Sequence, residues 1–199
     1  MSEKEYFNNA ADTWDERFHT PSFLSFLDKL VPQFGIETEQ NVLDVGTGTG
    51  VLIPYLIHAV GPSGSVTAID YSERMVQICK TKHSHFKNVN IKVGNIEEDS
   101  FPVESFDYVI CFGVFPHLKN RQKALQTINT ILITGGKLVI AHAFSSEELK
   151  SHHKKVSIQV ANDALPKKTE MMQLLDQTGF TQITINDEPG CYICISHKV

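Results

Sequence analysis

The sequence predicts an α/β fold built on a mostly parallel sheet. Short apolar runs alternate with amphipathic stretches from residue 41 onward, the runs are apolar on both faces, and a glycine-rich loop follows the first of them. Strands buried on both faces belong to sheets covered by helices on either side, where parallel strands occur.

The elements follow in order. Residues 3–18 carry Tyr6, Phe7, Ala10, Trp14 and Phe18 near helical spacing, which predicts a helix, and Pro21 opens a second helix with a broad apolar face. Residues 41–46 (NVLDVG) read as a buried strand and 51–59 as a helix. Residues 65–70 (SVTAID) form the next strand, and 72–82 a helix capped by Ser72. Strands follow at 89–94 and 106–113 (FDYVICFG), then a helix at 121–132. A further strand at 137–143 (KLVIAHA) comes after a turn at Gly135-Gly136. Residues 145–159 are polar and helical, with Ser145 and Glu148 spaced as a capping box. A last helix at 169–177 closes at Gly179. Strands at 181–186 and 192–197 flank Pro189-Gly190, so close a connection that the pair must be antiparallel.

The chain of 199 residues suits one domain, with 41% hydrophobic and 21% charged residues, and shows no linker or repeat. A net charge of -5 and only three arginines (Arg17, Arg74, Arg121) speak against gripping a phosphate backbone, so no nucleic-acid partner is expected. The opening residues lack a basic segment leading into an apolar one, and no apolar stretch is long enough to span a bilayer. Cys79, Cys111, Cys191 and Cys194 form no disulfide framework, which fits a cytoplasmic location. Oligomeric state is not legible.

The chemistry concentrates after the first strand, in Asp44-Val45-Gly46-Thr47-Gly48-Thr49-Gly50. Three alternate glycines let a backbone turn tightly and approach a ligand. The bland alternative is a simple strand-to-helix turn. The dinucleotide fingerprint GxGxxG requires Gly or Ala at position 51, where Val51 stands, so this loop suits a ligand with an amino-acid part rather than a pyrophosphate. Asp70 ends the second strand about twenty residues on, where a carboxylate can accept from a ribose diol. Its alternative role is a helix cap. Asn95 and Ile96 follow the third strand, where an amide can pair with an adenine edge and an aliphatic chain can pack on its face.

DVGTGTG, the acidic end of VTAID, GNIEEDSFPVESFD and GGKLVIA together resemble the motifs of class I S-adenosylmethionine-dependent methyltransferases, over about residues 41–144. The likeness is greatest to the small-molecule branch resembling quinone and sterol methyltransferases, whose N-terminal cap YFNNAADTWDE is similar to. The resemblance implies a Rossmann-like seven-stranded sheet with its last strand antiparallel. It implies a helical cap at 1–35, a cofactor-binding core at 36–144, an acceptor lid at 145–166, and a closing helix and strand pair at 167–199. The cofactor would be S-adenosyl-L-methionine, with Gly46, Thr47, Gly48 and Gly50 against its methionine part and Asp44 orienting its amine. Asp70 would hold the ribose, Tyr71 and Met75 would pack near the adenine, and Asn95 and Ile96 would frame it. Many relatives carry Asp where Asn95 stands. Cys111 and Phe112 would line the cofactor channel, and Tyr6 and Trp14 could close its mouth or simply pack.

Acceptor-side candidates are Phe115, Pro116, His117, His142, Phe144 and His152, with His117 the foremost general base. His142, inside a strand, reads as a satisfied core histidine. His117, His142 and His152 could converge, yet no ligand spacing supports a metal, and none is expected. Cys191 and Cys194 point to opposite faces of a strand. The expected function is methyl transfer to a small molecule. The alternative is a non-catalytic module that binds S-adenosylmethionine or S-adenosylhomocysteine.

Overall fold

The computed structural model describes residues 1–199. Its seven strands, β1 (Asn41–Val45), β2 (Ser65–Asp70), β3 (Val89–Val93), β4 (Phe106–Phe112), β5 (Leu132–His142), β6 (Phe180–Glu188) and β7 (Cys191–Lys198), form one sheet in the order β3-β2-β1-β4-β5-β7-β6. The chain divides into two compact units, Met1–Asn95 and Ile96–Val199.

In the first unit, α1 (Glu3–Ala10) starts at a complete capping box between Ser2 and Glu5. The single helix expected over residues 3–18 is interrupted: a 3-10 turn at Ala11–Thr13 separates α1 from α2 (Trp14–Phe18). Asp12 and Thr13 are poor interior helix formers, because short polar side chains compete for the backbone. α3 (Pro21–Leu30) has Thr20 as N-cap and Pro21 in its first turn. Then β1 (Asn41–Val45), α4 (Ile53–Val60), β2 (Ser65–Asp70), α5 (Glu73–His83) and β3 (Val89–Val93) alternate. Ser72 caps α5 as expected, its hydroxyl accepting from the Met75 amide. β2 pairs parallel with both β1 and β3. Ile53, Ala68, Val76, Cys79 and Ile91 make a buried cluster where α4 and α5 cover these strands. Each large aliphatic chain so buried contributes about 1.5–3 kcal/mol, which fixes the ends of β1 and β2 where the glycine loop and Asp70 sit.

In the second unit, β4 (Phe106–Phe112) leads through a 3-10 turn at Phe115–His117 into α6 (Arg121–Ile131) and β5 (Leu132–His142). β5 begins earlier than the expected 137, and Gly135-Gly136 lie inside the strand rather than in a turn before it. A Cβ on Gly136 would lie 2.9 Å from the Ile133 carbonyl and 3.1 Å from that of Asp107. The missing side chain thus lets β5 pass close to β4, where the register shifts between Phe106 and Tyr108. α7 (Ser146–Val156) carries the expected Ser145–Glu148 capping box. α8 (Lys168–Gln177) leads to β6 (Phe180–Glu188) and β7 (Cys191–Lys198). β4 and β5 are parallel, while β7 runs antiparallel to β5 and also to β6, the latter as the short Pro189-Gly190 connection requires.

Candidate active site

The glycine loop spends its own amides on the protein. Gly46 and Thr47 both donate to the Ile69 carbonyl, at 2.8 and 2.9 Å, Gly48 donates to Asp70 Oδ2 at 2.9 Å, and Gly50 to the Thr47 carbonyl at 2.9 Å. A phosphate cradle needs such N–H groups left open to an anion. This loop therefore offers shape rather than an anion hole, which agrees with the exclusion of a dinucleotide by Val51. Gly48 adopts φ +56, and a Cβ built on it would meet no protein atom within 4 Å. The backbone there borders open space.

Two carboxylates flank the loop. Asp44, at the end of β1, is 2% exposed, and its Oδ2 has no hydrogen-bond partner. Burial pushes its carboxyl up to about 7, and the charge of Asp70 adds to the rise against a hydroxyl contribution from Thr47. An orphaned, buried carboxyl at that position suits a cationic group. Asp70 accepts from the Gly48 amide through Oδ2 and from the Ser72 amide through Oδ1, at 2.9 and 2.8 Å. Asp70 thereby pins the glycine loop to the residue that caps α5, while the cap itself is Ser72.

Behind the loop lie residues the sequence reading passed over. A Cβ on Gly50, at φ +90, would fall 2.6 Å from His83 Cδ2 and 2.7 Å from Cys79 Sγ. Burial drives the Cys79 thiol up to about 12 and His83 down to about 4, so both are neutral packing for the loop. Gly50→Ala is therefore expected to destabilise the fold by about 2–4 kcal/mol, from overpacking and left-handed strain together. Urea unfolding checks it. The penalty should shrink in a His83→Ala background, and a change within about 0.5 kcal/mol, the range of an unremarkable surface substitution, would refute the packing argument.

The N-terminal helices are fastened to the same region of the first unit. Asn8 Oδ1 accepts from Ser72 Oγ at 2.7 Å and from the Arg74 amide at 3.1 Å. Asp15 takes the Thr49 hydroxyl, Lys82 Nζ and His19 Nδ1, at 2.5, 2.5 and 2.9 Å. Burial would raise the Asp15 carboxyl, but these partners outweigh it and hold it below its ordinary value. Tyr6, Phe7 and Trp14 form an aromatic series that reaches Tyr71, with Phe7 centred 6.1 Å from the Tyr71 ring. Met75 is buried at 2% on α5 and Asn95 is half-buried after β3.

In the second unit, histidines gather at the ends of β4 and β5. His117 Nδ1 lies 2.7 Å from Asp163 Oδ2, with both side chains close to 12% exposed. His153 Nδ1 lies 2.7 Å from the Asp163 carbonyl. The His117 and His153 rings are 5.0 Å apart, and His142 lies 6.5 Å from His153, 5.8 Å from Phe144 and 6.5 Å from Phe112. His152 stacks on Phe144 at 4.9 Å. His142 departs from the expected satisfied core histidine: its Nδ1 is buried with no partner. Burial, with the neighbouring histidines, holds it down to about 3, so it is neutral. Phe115 is fully buried with the Arg121 guanidinium 5.9 Å from its centroid, so it packs the turn that carries His117. Cys111 is also fully buried and Ile96 is 2% exposed, whereas Phe112 is half-buried.

Asp163 and His153 had no place among the residues picked from the sequence. His153 carried a usable signal, since it stands four residues after Leu149 and the two are the buried positions of α7. Asp163 carried none, because its segment has no periodicity.

A family model described as a methyltransferase domain matches residues 36–179. A demethylmenaquinone methyltransferase of Staphylococcus aureus is 27% identical over 210 aligned residues, covering 92% of this chain and 87% of that protein. The crystal structure of an S-adenosylmethionine-dependent methyltransferase from Aquifex aeolicus superposes with a TM-score of 0.74 at 24% identity, over 100% of both chains. Phosphoethanolamine N-methyltransferase 2 of Haemonchus contortus, in complex with S-adenosylmethionine, gives a TM-score of 0.73 at 17% identity, over 94% of this chain and 59% of that one.

Proposed function

The chain belongs to the methyltransferase-domain family and uses S-adenosylmethionine, and on that premise we propose that its acceptor is a small aromatic molecule bearing a hydroxyl group. The observation that carries this reading is the series of neutral rings in the second unit, Phe112, His142, Phe144 and His152, beside the His117–Asp163 pair. Flat, uncharged faces suit a flat, uncharged ring. A hydroxyl on that ring needs a base before the ring or its oxygen becomes strongly nucleophilic. The similarity to a demethylmenaquinone methyltransferase supports the same class.

The residues of the first unit fit the donor. The open space beside Gly48 admits a chain with no Cβ in its path, and the orphaned Asp44 oxygen suits the donor's ammonium. Asp70 would hold the ribose hydroxyls, Asn95 would meet the adenine edge, and Tyr71 and Tyr6 would shield it. When bound, S-adenosylmethionine supplies a methyl group already activated on a sulfonium, so the protein's work is alignment, exclusion of water and proton removal. His117 would take the acceptor's proton. Residues 145–166, which bring His152, His153 and Asp163, would cover the acceptor. No helix is long and apolar enough to cross a membrane.

The test is turnover with 1,4-naphthohydroquinone, catechol, a primary amine, a peptide mixture and transfer RNA, reading S-adenosylhomocysteine release and product mass. Methylation of the hydroxylated rings supports the proposal. Product only from peptide or RNA overturns the small-molecule reading, and product only from the amine overturns the aromatic one. Calorimetric titration should show binding of S-adenosylmethionine and not of NAD.

A further inference from the structure

We propose that Asp15 is a positioning residue for the donor site, holding the glycine loop through Thr49 and tying the order of that loop to the order of the N-terminal helices. The proposal rests on the reading of this loop as the seat of S-adenosylmethionine, and adds a residue that acts on the cofactor only through the loop.

The loop needs a handle. Thr49 stands between Gly48, at φ +56, and Gly50, at φ +90. Glycine on either side gives the backbone a freedom that a bound ligand must remove, at a cost in affinity. The amides of Gly48 and Gly50 are held by Asp70 and by the Thr47 carbonyl. Thr49 supplies the one side chain between the two glycines, and its hydroxyl donates to Asp15 Oδ1 at 2.5 Å. An ionised carboxylate accepts only, so the direction of this bond is fixed. Thr49 is 1% exposed, so water does not compete for its side chain.

The far end of that bond lies on weakly anchored structure. α2, which carries Asp15, has no buried residue, and α1 buries only Ala10. Helices of eight and five residues do not persist on local propensity. Polar contacts to α5 and its cap fasten them. Lys4 pairs with Glu73 and Asp12 with Arg74, each at 2.5 Å, and Asn8 takes Ser72 and Arg74. Glu73 and Asp12 are exposed, where an ion pair contributes little. Asp15 differs in two respects. It is half-buried, with Lys82 Nζ on α5 at 2.5 Å and His19 Nδ1 at 2.9 Å beside the Thr49 hydroxyl. Its contact with Thr49 also reaches the glycine loop itself, whereas these contacts of Lys4, Asn8 and Asp12 end on α5 and its cap. Linkage makes the effect run both ways. If the N-terminal helices steady the loop in the conformation that the donor binds, the donor must steady those helices by the same factor.

The experiment measures calorimetric binding of S-adenosylmethionine and amide hydrogen exchange in the same variants. Asp15→Ala and Thr49→Val should each weaken binding by on the order of 10-fold or more, the range of a hydrogen bond to a charged group. Their losses should not multiply, so the double variant should lie within about threefold of the worse single one. Thr49→Ser should recover most of the loss. Asp12→Ala removes an exposed pair from the same segment and should stay within about threefold of the parent. In the cofactor-free protein, exchange at the Gly48 and Gly50 amides should quicken by on the order of 10-fold in Asp15→Ala. In the parent, the cofactor should slow exchange across Trp14–Phe18, an effect lost in Thr49→Val. Losses that multiply, an Asp12→Ala loss equal to that of Asp15→Ala, or lower melting temperatures with affinity and exchange unchanged, overturn the proposal. Should Asp15→Ala fail to fold, Thr49→Val decides, since it keeps the Lys82 and His19 contacts: parent-like affinity there refutes the assignment. Faster loop exchange with parent-like affinity means that the loop is not the donor's seat, and both readings fall. If Gly48→Val blocks the donor while Asp15→Ala leaves affinity and exchange as in the parent, the role of Asp15 alone falls.

Discussion

Gly48→Val is expected to abolish measurable binding of S-adenosylmethionine, a loss on the order of 1000-fold or ~4 kcal/mol, while leaving a folded protein. The expectation follows from what surrounds the missing side chain. At Gly48 a Cβ meets no protein atom within 4 Å, so the added methyls enter space that the protein itself leaves unfilled. At Gly50, two residues on, the same atom collides with His83 and Cys79. The two glycines are thus required for different reasons, one by a ligand and one by the core. Valine at φ +56 also carries left-handed strain of about 1–2 kcal/mol, which a domain of ordinary stability survives. Gly48→Asn separates the two effects, because asparagine tolerates that conformation yet still fills the space. Calorimetry and urea unfolding of both variants check the prediction. A Val variant that binds within tenfold of the parent would place the cofactor elsewhere.

The contrast between these glycines also marks how far sequence alone reaches. The DVGTGTG spacing located the loop, and Val51 excluded a pyrophosphate, because turn chemistry is local and leaves a local record. The same is true of the Ser72 cap, of the Ser145 capping box and of the Pro189-Gly190 hairpin. What was not legible depends on partners distant in sequence. Nothing near Asp163 announces that it meets His117, 46 residues away, or that Arg121 spans the two segments. Nothing near Gly50 announces His83. Gly135-Gly136 look like a turn locally, and only the passing backbone of β4 makes them part of a strand. Helix 3–18 failed for a milder reason, since apolar spacing survived across a break that Asp12 and Thr13 create.

Asp44→Asn should weaken cofactor binding yet make the empty protein more stable at alkaline pH. The carboxyl of Asp44 is held up to about 7 by burial, against 3.8 in an exposed chain. The folded state therefore keeps a proton that the unfolded chain has already released. The contribution of this group to stability is fully present below about pH 4 and is lost as pH rises through about 7, at about 1.4 kcal/mol per unit across the window. Asparagine cannot ionise, so the variant escapes that loss, and its advantage over the parent should grow from pH 5 to about 7 and level off above it. Binding has the opposite dependence. A cationic donor group beside Asp44 favours the ionised carboxylate, so affinity for S-adenosylmethionine in the parent should rise up to tenfold per pH unit toward 7 and level off above it. The variant should lose that slope and bind on the order of 10–100-fold more weakly at pH 8, the scale of a charge-assisted hydrogen bond. Thermal melts and titrations at pH 5, 6, 7 and 8 test both halves. A parent whose affinity is flat across this range would mean that Asp44 does not face the donor's charge, and a variant no more stable than the parent at pH 8 would mean that its buried carboxylate is otherwise compensated.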